Sequence, residues 1–432
     1  MSHPKTAARR SGPQGFSLLL VGTVVAGLGG YLVTWLVPFV IGAAAYTQFA
    51  LFWGFIFLVI SALSGVQQEV TRATTDSLPA GPDRGSVRST WLFAGGLSCA
   101  VFVIVAATSG WWGPAVFRDA GSLYMWPAAF GSATYIFVAV FVGMFYGARA
   151  WKTLFWFMIL EGASRLMATA IVLWLAPTQL LLAWATAIPY SLLIMLGVWR
   201  SARGELEGIR VSSSATELAW NIGRTILAAT AMGTMISGFP LILGMSAHAE
   251  PADEVGRLIL AATFTRAPLI VVALALQSYL IVQFQDWAQR RLVLFGKILS
   301  LVGAAAVVIG LAGWFLGPWM FQLLFPREAP PSAELIVVLV ISSGLLGALC
   351  VSGAGVLSAN MHAMYASGWV LAATTSIVLL NSGGPFYDRT VAALLIGPAV
   401  GLAVHTAALL FSTRHSQRLV VAQDVVPPRD IN

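Results

Sequence analysis

The chain has 432 residues, of which 58% are hydrophobic and only 9% charged, with a formal charge of +7. Such a composition cannot cover a water-soluble globule of this length, so lipid must be the main solvent. The positive balance reads as membrane topology and contact with anionic headgroups, which argues against nucleic acid as a partner.

A helix crosses about 30 Å of hydrocarbon with roughly 20 apolar residues. On that ruler the sequence predicts twelve spans, near 16–37, 46–64, 91–109, 124–146, 154–176, 180–198, 222–245, 258–282, 294–316, 335–357, 364–380 and 391–411. The first follows Lys5, Arg9 and Arg10. Its apolar run exceeds that of a signal peptide and is expected to be retained as an anchor. The first outer loop, around 38–45, carries no acid. The outer connections are short throughout, which disfavours a membrane glycosyltransferase or other enzyme.

A long hydrophilic stretch between spans, 200–221, divides six spans from six. The expected organisation is therefore a tail at 1–15, a six-helix lobe at 16–199, a linker at 200–221, a second lobe at 222–412 and a tail at 413–432. Paired six-span halves are a common transporter plan. Of the 24 lysines and arginines, only Arg118, Arg257, Arg327 and Arg389 fall on one side, Arg165 and Arg266 lie within spans, and the rest fall on the other. Basic loops stay cytoplasmic, so both termini are expected to be cytoplasmic.

Cys99 and Cys350 both fall inside spans and read as packing residues, not as a disulfide or thiolate metal site. The five histidines show no ligand spacing, and no phosphate loop, zinc motif or nucleophile elbow is visible. No metal or cofactor is expected.

Three charges stand well inside the spans: Glu161, Arg165 and Arg266. An intramembrane ion is a functional candidate by default, because its insertion is costly unless it faces a cavity or a partner. Glu161 and Arg165 are four residues apart, on one helix face, and can pair. That pair either neutralises itself or tunes an anion site. Arg266 has no acid near it in sequence, and Pro268 can kink its helix. Thr263, Arg266 and Gln277 share a face. On the second span Ser61, Ser64, Gln67, Gln68 and Thr71 make a similar stripe ending at Arg72, which is either a rim cation or a snorkelling one. Thr230, Thr234 and Ser237 share a face of the seventh span, whose cytoplasmic end carries Asn221 and Arg224. Gly344, Ala348 and Ser352, and likewise Gly397, Gly401 and His405, recur every four residues and read as close helix packing. A lone histidine behind two glycines is more often a packed core residue than a proton carrier.

The segments IGAAAYTQFALFWG, SGVQQEVTRA, FYGARAWKTLFWFMILEGASR, FTRAPLIVVALALQSYL and GPWMFQLLF are similar to corresponding parts of polysaccharide-type (Wzx-like) flippases of the multidrug/oligosaccharidyl-lipid/polysaccharide exporter superfamily. The resemblance implies an all-α polytopic protein with two six-helix lobes around a central cavity, in a bacterial plasma membrane. It implies a polyprenyl-linked glycolipid as substrate, no enzymatic step, and glycan polymerase or ligase machinery as partners. Arg165 and Arg266 would meet the phosphates, with Glu161, Gln68 and Gln277 beside them and Arg72 and Arg224 as a cytoplasmic rim. Two alternatives stay open: an ion-coupled drug exporter of the same superfamily that uses Glu161, and a non-transporting scaffold or polymerase subunit. The uncharged first span departs from the drug exporters' pattern.

Overall fold

The computed structural model describes residues 13–75, 87–117, 121–206, 215–247, 249–287 and 290–424, and among these residues the structure is helical, with short turns and no strand. In chain order the helices are α1 (Pro13–Thr75), α2 (Val87–Ala107), α3 (Ser109–Phe117), α4 (Gly121–Gly147), α5 (Trp151–Leu175), α6 (Gln179–Ala187) and α7 (Pro189–Ala202). They continue with α8 (Ala215–Ile236), α9 (Phe239–Ser246), α10 (Ala252–Asp286), α11 (Arg291–Leu324), α12 (Ala333–Ser358), α13 (His362–Leu380) and α14 (Phe386–Asp424).

Each of the twelve expected spans falls on helix. Among the described residues, nine stretches are long and apolar enough to cross a bilayer, ten if a bent pair counts as one span. The stretch within α1 runs 58 residues, about 87 Å at the helical rise, and so covers two spans. The remaining expected span, 258–282, falls on α10.

Two expectations of continuity are corrected. The outer connection expected at 38–45 is not a loop: α1 is interrupted only at Gly42, with φ 78° and ψ 166°. Only glycine adopts that φ without strain. The break frees the amide of Ala43, which donates to Glu328 Oε1 at 2.8 Å. A carboxylate at a helix start satisfies an orphan donor and meets the positive end of the helix dipole. The seventh span, expected as one helix, is bent by 72° between Ile236 and Phe239. Pro240 explains it, since it has no N–H to offer the preceding turn and its ring clashes there.

The chain packs as two compact units, one of residues 1–37 and 59–226, the other of 38–58 and 227–432. The first has a core of Ile136, Val140, Phe141, Met144, Phe145, Phe157 and Tyr190. In the second, Trp369, Leu349 and Ala372 are buried together, and Phe284, Ala354 and Leu409 form another cluster. Small residues let the helices approach. A Cβ on Gly401 would lie 2.7 Å from the carbonyl of Gly368, and one on Gly344 would lie 2.8 Å from the Ala306 methyl. His405 is fully buried, with Nδ1 at 2.9 Å from Ser352 Oγ and Nε2 at 3.1 Å from the Tyr365 carbonyl. It is a packed, hydrogen-bonded core residue.

The outward faces are apolar. Leu301, Val307 and Phe315 of α11 are 62–76% exposed, a surface that water would not tolerate but acyl chains match. Cys350 is buried as expected, whereas Cys99 is exposed. The packing role expected for Cys99 is corrected, since its thiol sits on a helix face that lipid covers at little cost.

Candidate functional site: two buried arginines

In the first unit the Arg165 guanidinium is buried against α7. Its Nη2 donates to Glu161 Oε1 at 3.0 Å and to the Tyr190 hydroxyl at 3.1 Å, and the ring of Tyr190 lies 5.3 Å from its centre. The i, i+4 spacing on α5 brings carboxylate and guanidinium together. Pro189 at the start of α7 sets Tyr190 on the first turn, facing inward. Tyr135 of α4 packs edge-on against Tyr190 at 5.5 Å.

Beside the pair lies a cavity of about 120 Å³ whose lining includes Gln67, Tyr135, Tyr146, Met158 and Glu161. That volume admits a few water molecules. Glu161 keeps 32% of its side chain exposed, against 6% for Arg165. The carboxylate is thus the accessible member of the pair and the guanidinium the buried one.

Arg266 in the second unit is 4% exposed. Its Nη2 donates to the Met235 carbonyl at 2.9 Å, and its charge lies 4.7 Å from the centre of the Phe239 ring. These partners flank the break between α8 and α9. The last carbonyls of a broken helix lack intrahelical donors and carry partial negative charge, which makes this a favourable place for a cation. Its Nε, however, has no hydrogen-bond partner among the described residues. No carboxylate of the described residues lies within ion-pair distance of it.

The other expected site residues fall differently. Arg72 pairs with Glu69 at 2.9 Å and stays 52% exposed. Gln68 is exposed, and its neighbour Gln67 lines the cavity instead. The backbones of Arg224 and Gln277 lie in α8 and α10, and their side chains lie outside the described residues. Thr263, which shares a helix face with Arg266, donates to the Ile259 carbonyl. Thr263 is also hydrogen-bonded to Tyr46 of α1, and Thr234 donates to the Thr230 carbonyl of its own helix. Among the described residues no three His, Cys, Asp or Glu side chains cluster as a metal site would require.

Sequence reasoning missed Tyr190, Tyr135 and the Met235 carbonyl. Nothing local links Tyr190 to an arginine 25 residues earlier. The Gly238-Phe239-Pro240 run did announce the helix break, and with it a set of unsatisfied carbonyls.

No family model matches the chain. Solved structures similar in fold include the lipid II flippase MurJ in an inward closed conformation, at 10% identity and TM-score 0.66 over 96% of this chain and 94% of that one. An inward-facing multidrug resistance MATE family transporter of the MOP superfamily aligns at 13% identity and TM-score 0.64 over 96% of both chains. A MOP superfamily transporter from Pyrococcus furiosus, described as having a binding pocket of reverse polarity, aligns at 13% and 0.65 over 93% of this chain and 95% of that one. The all-α, multi-pass membrane fold is therefore that of these transporters. Among sequence relatives, Uncharacterized protein Rv3630 of Mycobacterium tuberculosis is 31% identical over 398 residues, 91% of this chain and 92% of its own length. Uncharacterized protein Rv1510 of the same species is 30% identical over 386 residues, 88% of each. Identity at that level along nearly the whole of both chains places this one among them: it belongs to the family of the mycobacterial proteins Rv3630 and Rv1510.

Proposed function

We propose that the protein is a flippase carrying a polyprenyl-(di)phosphate-linked glycan from the cytoplasmic to the outer leaflet of a bacterial plasma membrane, with both termini cytoplasmic. The observation that carries this reading is Arg266, a guanidinium 4% exposed with no carboxylate of the described residues in ion-pair range. Burying a charge without a counter-ion costs several kcal/mol. An anionic ligand that supplies the missing charge recovers that cost on binding. Phosphate suits the task, because its oxygens match the planar donors of a guanidinium.

The fold shared with a lipid II flippase supports the same substrate class. A diphosphate cannot cross about 30 Å of hydrocarbon unaided, and a two-unit scaffold with a buried cation gives it a path by alternating access. Arg165 is the second phosphate contact in this reading, reached when Glu161 yields it. Arg72, Arg224, Gln68 and Gln277 are secondary contacts along the route.

Native mass spectrometry of the purified protein beside Arg266→Gln and Arg165→Gln tests the proposal. Polyprenyl phosphate or diphosphate glycolipid is expected on the wild type and lost from Arg266→Gln. Absence of such lipid from every form, with folding intact, would overturn it and favour an exporter dependent on Glu161.

A further inference from the structure

A second concavity lies at one end of the second unit, where the turns before α10, α12 and α14 meet. Its volume is about 490 Å³, and its wall includes Glu250, Glu254, Arg257, Pro331, Phe386 and Tyr387. The distribution of basic residues assigns this end to the outside. A space of this size accepts one or two sugar rings and is within the usual range for small-ligand sites.

The walls are fixed before any ligand arrives. Arg389 donates to the Leu380 carbonyl at 3.2 Å and the Ser246 carbonyl at 3.1 Å. It also pairs with Glu250 at 3.8 Å and lies 5.4 Å from the centre of the Phe386 ring. One half-buried side chain thus ties the ends of three helices and sets a carboxylate and an aromatic ring in place. On the first turns of α10 Arg257, a wall residue, pairs with Asp253 at 3.2 Å. The neighbouring prolines add apolar, stiff surface that loses little entropy on binding.

The chemistry discriminates among ligands. Of the wall's charged groups, Glu250 pairs with Arg389 and Arg257 with Asp253, while Glu254 adds an exposed carboxylate, so an anion meets like charge there. A neutral polyhydroxy ligand uses both kinds of group, donating to carboxylates and accepting from the guanidinium. Tyr387, 43% exposed, offers a ring face for the C–H faces of a sugar, the amphipathic service aromatic residues perform at binding surfaces. The geometry points to a saccharide-binding cleft on the outer end of the second unit, which takes a neutral mono- or disaccharide portion of a glycan. The flippase reading supplies the reason such a glycan is present there, and the site's chemistry stands apart from it.

Saturation-transfer NMR on the full chain in lipid nanodiscs, with lactose and cellobiose as soluble probes, tests the cleft. Transfer to sugar ring protons is expected from the wild type and from Arg266→Gln. Tyr387→Ala should weaken binding about tenfold, the upper range for loss of an aromatic stack, while Tyr387→Phe retains it. No transfer to either sugar from the wild type, equal transfer from Tyr387→Ala, or displacement of the sugars by spermidine alone would overturn the inference. Sugar binding without any bound polyprenyl lipid would sink the flippase reading and leave the cleft; bound lipid without sugar binding would do the reverse.

Discussion

Among the described residues each unit buries one arginine in a helix, and the two charges are accommodated by opposite means. Arg165 carries its own counter-charge one turn away and a tyrosine hydroxyl besides. Arg266 has a carbonyl and a ring face, with no acid of the described residues nearby. A buried pair offsets part of its lost hydration locally. A buried lone cation stays in deficit until a ligand arrives. In the proposed reading Arg266 is therefore the first phosphate contact and Arg165, held by Glu161, the second.

Replacing Arg266 should break the comparison most sharply. Arg266→Met removes an uncompensated charge, so the protein is expected to unfold at the same or a higher temperature. Affinity for a polyprenyl diphosphate should nonetheless fall about 10- to 100-fold, as expected for losing a charge-assisted hydrogen bond. Parallel thermal unfolding and lipid-binding measurements decide it. A large drop in stability alongside the loss would make Arg266 a latch for the broken helix and nothing more.

Glu161→Gln converts the first unit into a likeness of the second. It leaves Arg165 buried without its carboxylate, which should destabilise by about 2 kcal/mol. That is below the about 3–5 of a fully buried pair, because the carboxylate is partly exposed. Arg165→Gln in the same chain should restore much of the loss, and a double-mutant cycle in thermal unfolding measures the coupling. Additive effects would show that the pair is not coupled. Tyr190→Phe removes a smaller part of the same arrangement and is expected to cost about 1 kcal/mol.

The sequence made the helices legible because apolar length is a coarse and redundant signal: every expected span is helical. The i, i+4 pair on α5 was legible too, since one helix determines it. Contacts between helices were not. Tyr190 meets Arg165 only because α7 packs on α5, and no periodicity reports which helices are neighbours. The choice of Gln68 over Gln67 shows the finer limit. Adjacent residues on a helix differ by about 100° in direction, so the polar stripe could be read without knowing which glutamine turns inward. The break at 236–239 was written in Gly238 and Pro240 yet overridden by the hydropathy of the flanking residues.

The smallest effects should come from the end of α1, and they sharpen the contrast between committed and exposed polar groups. Arg72 and Glu69 touch at 2.9 Å, but the arginine is 52% exposed, and exposed pairs contribute about 0–1 kcal/mol. Arg72→Gln should therefore leave thermal unfolding within about 0.5 kcal/mol of the wild type. Gln67 and Gln68 provide an internal control at the same depth. Gln67→Leu replaces a polar wall of the cavity beside Glu161 and should reduce lipid-linked glycan transport, whereas Gln68→Leu changes an exposed position and should not. Equal transport in the two variants would detach the cavity from the substrate route and leave Arg266 as the anchor of function by itself.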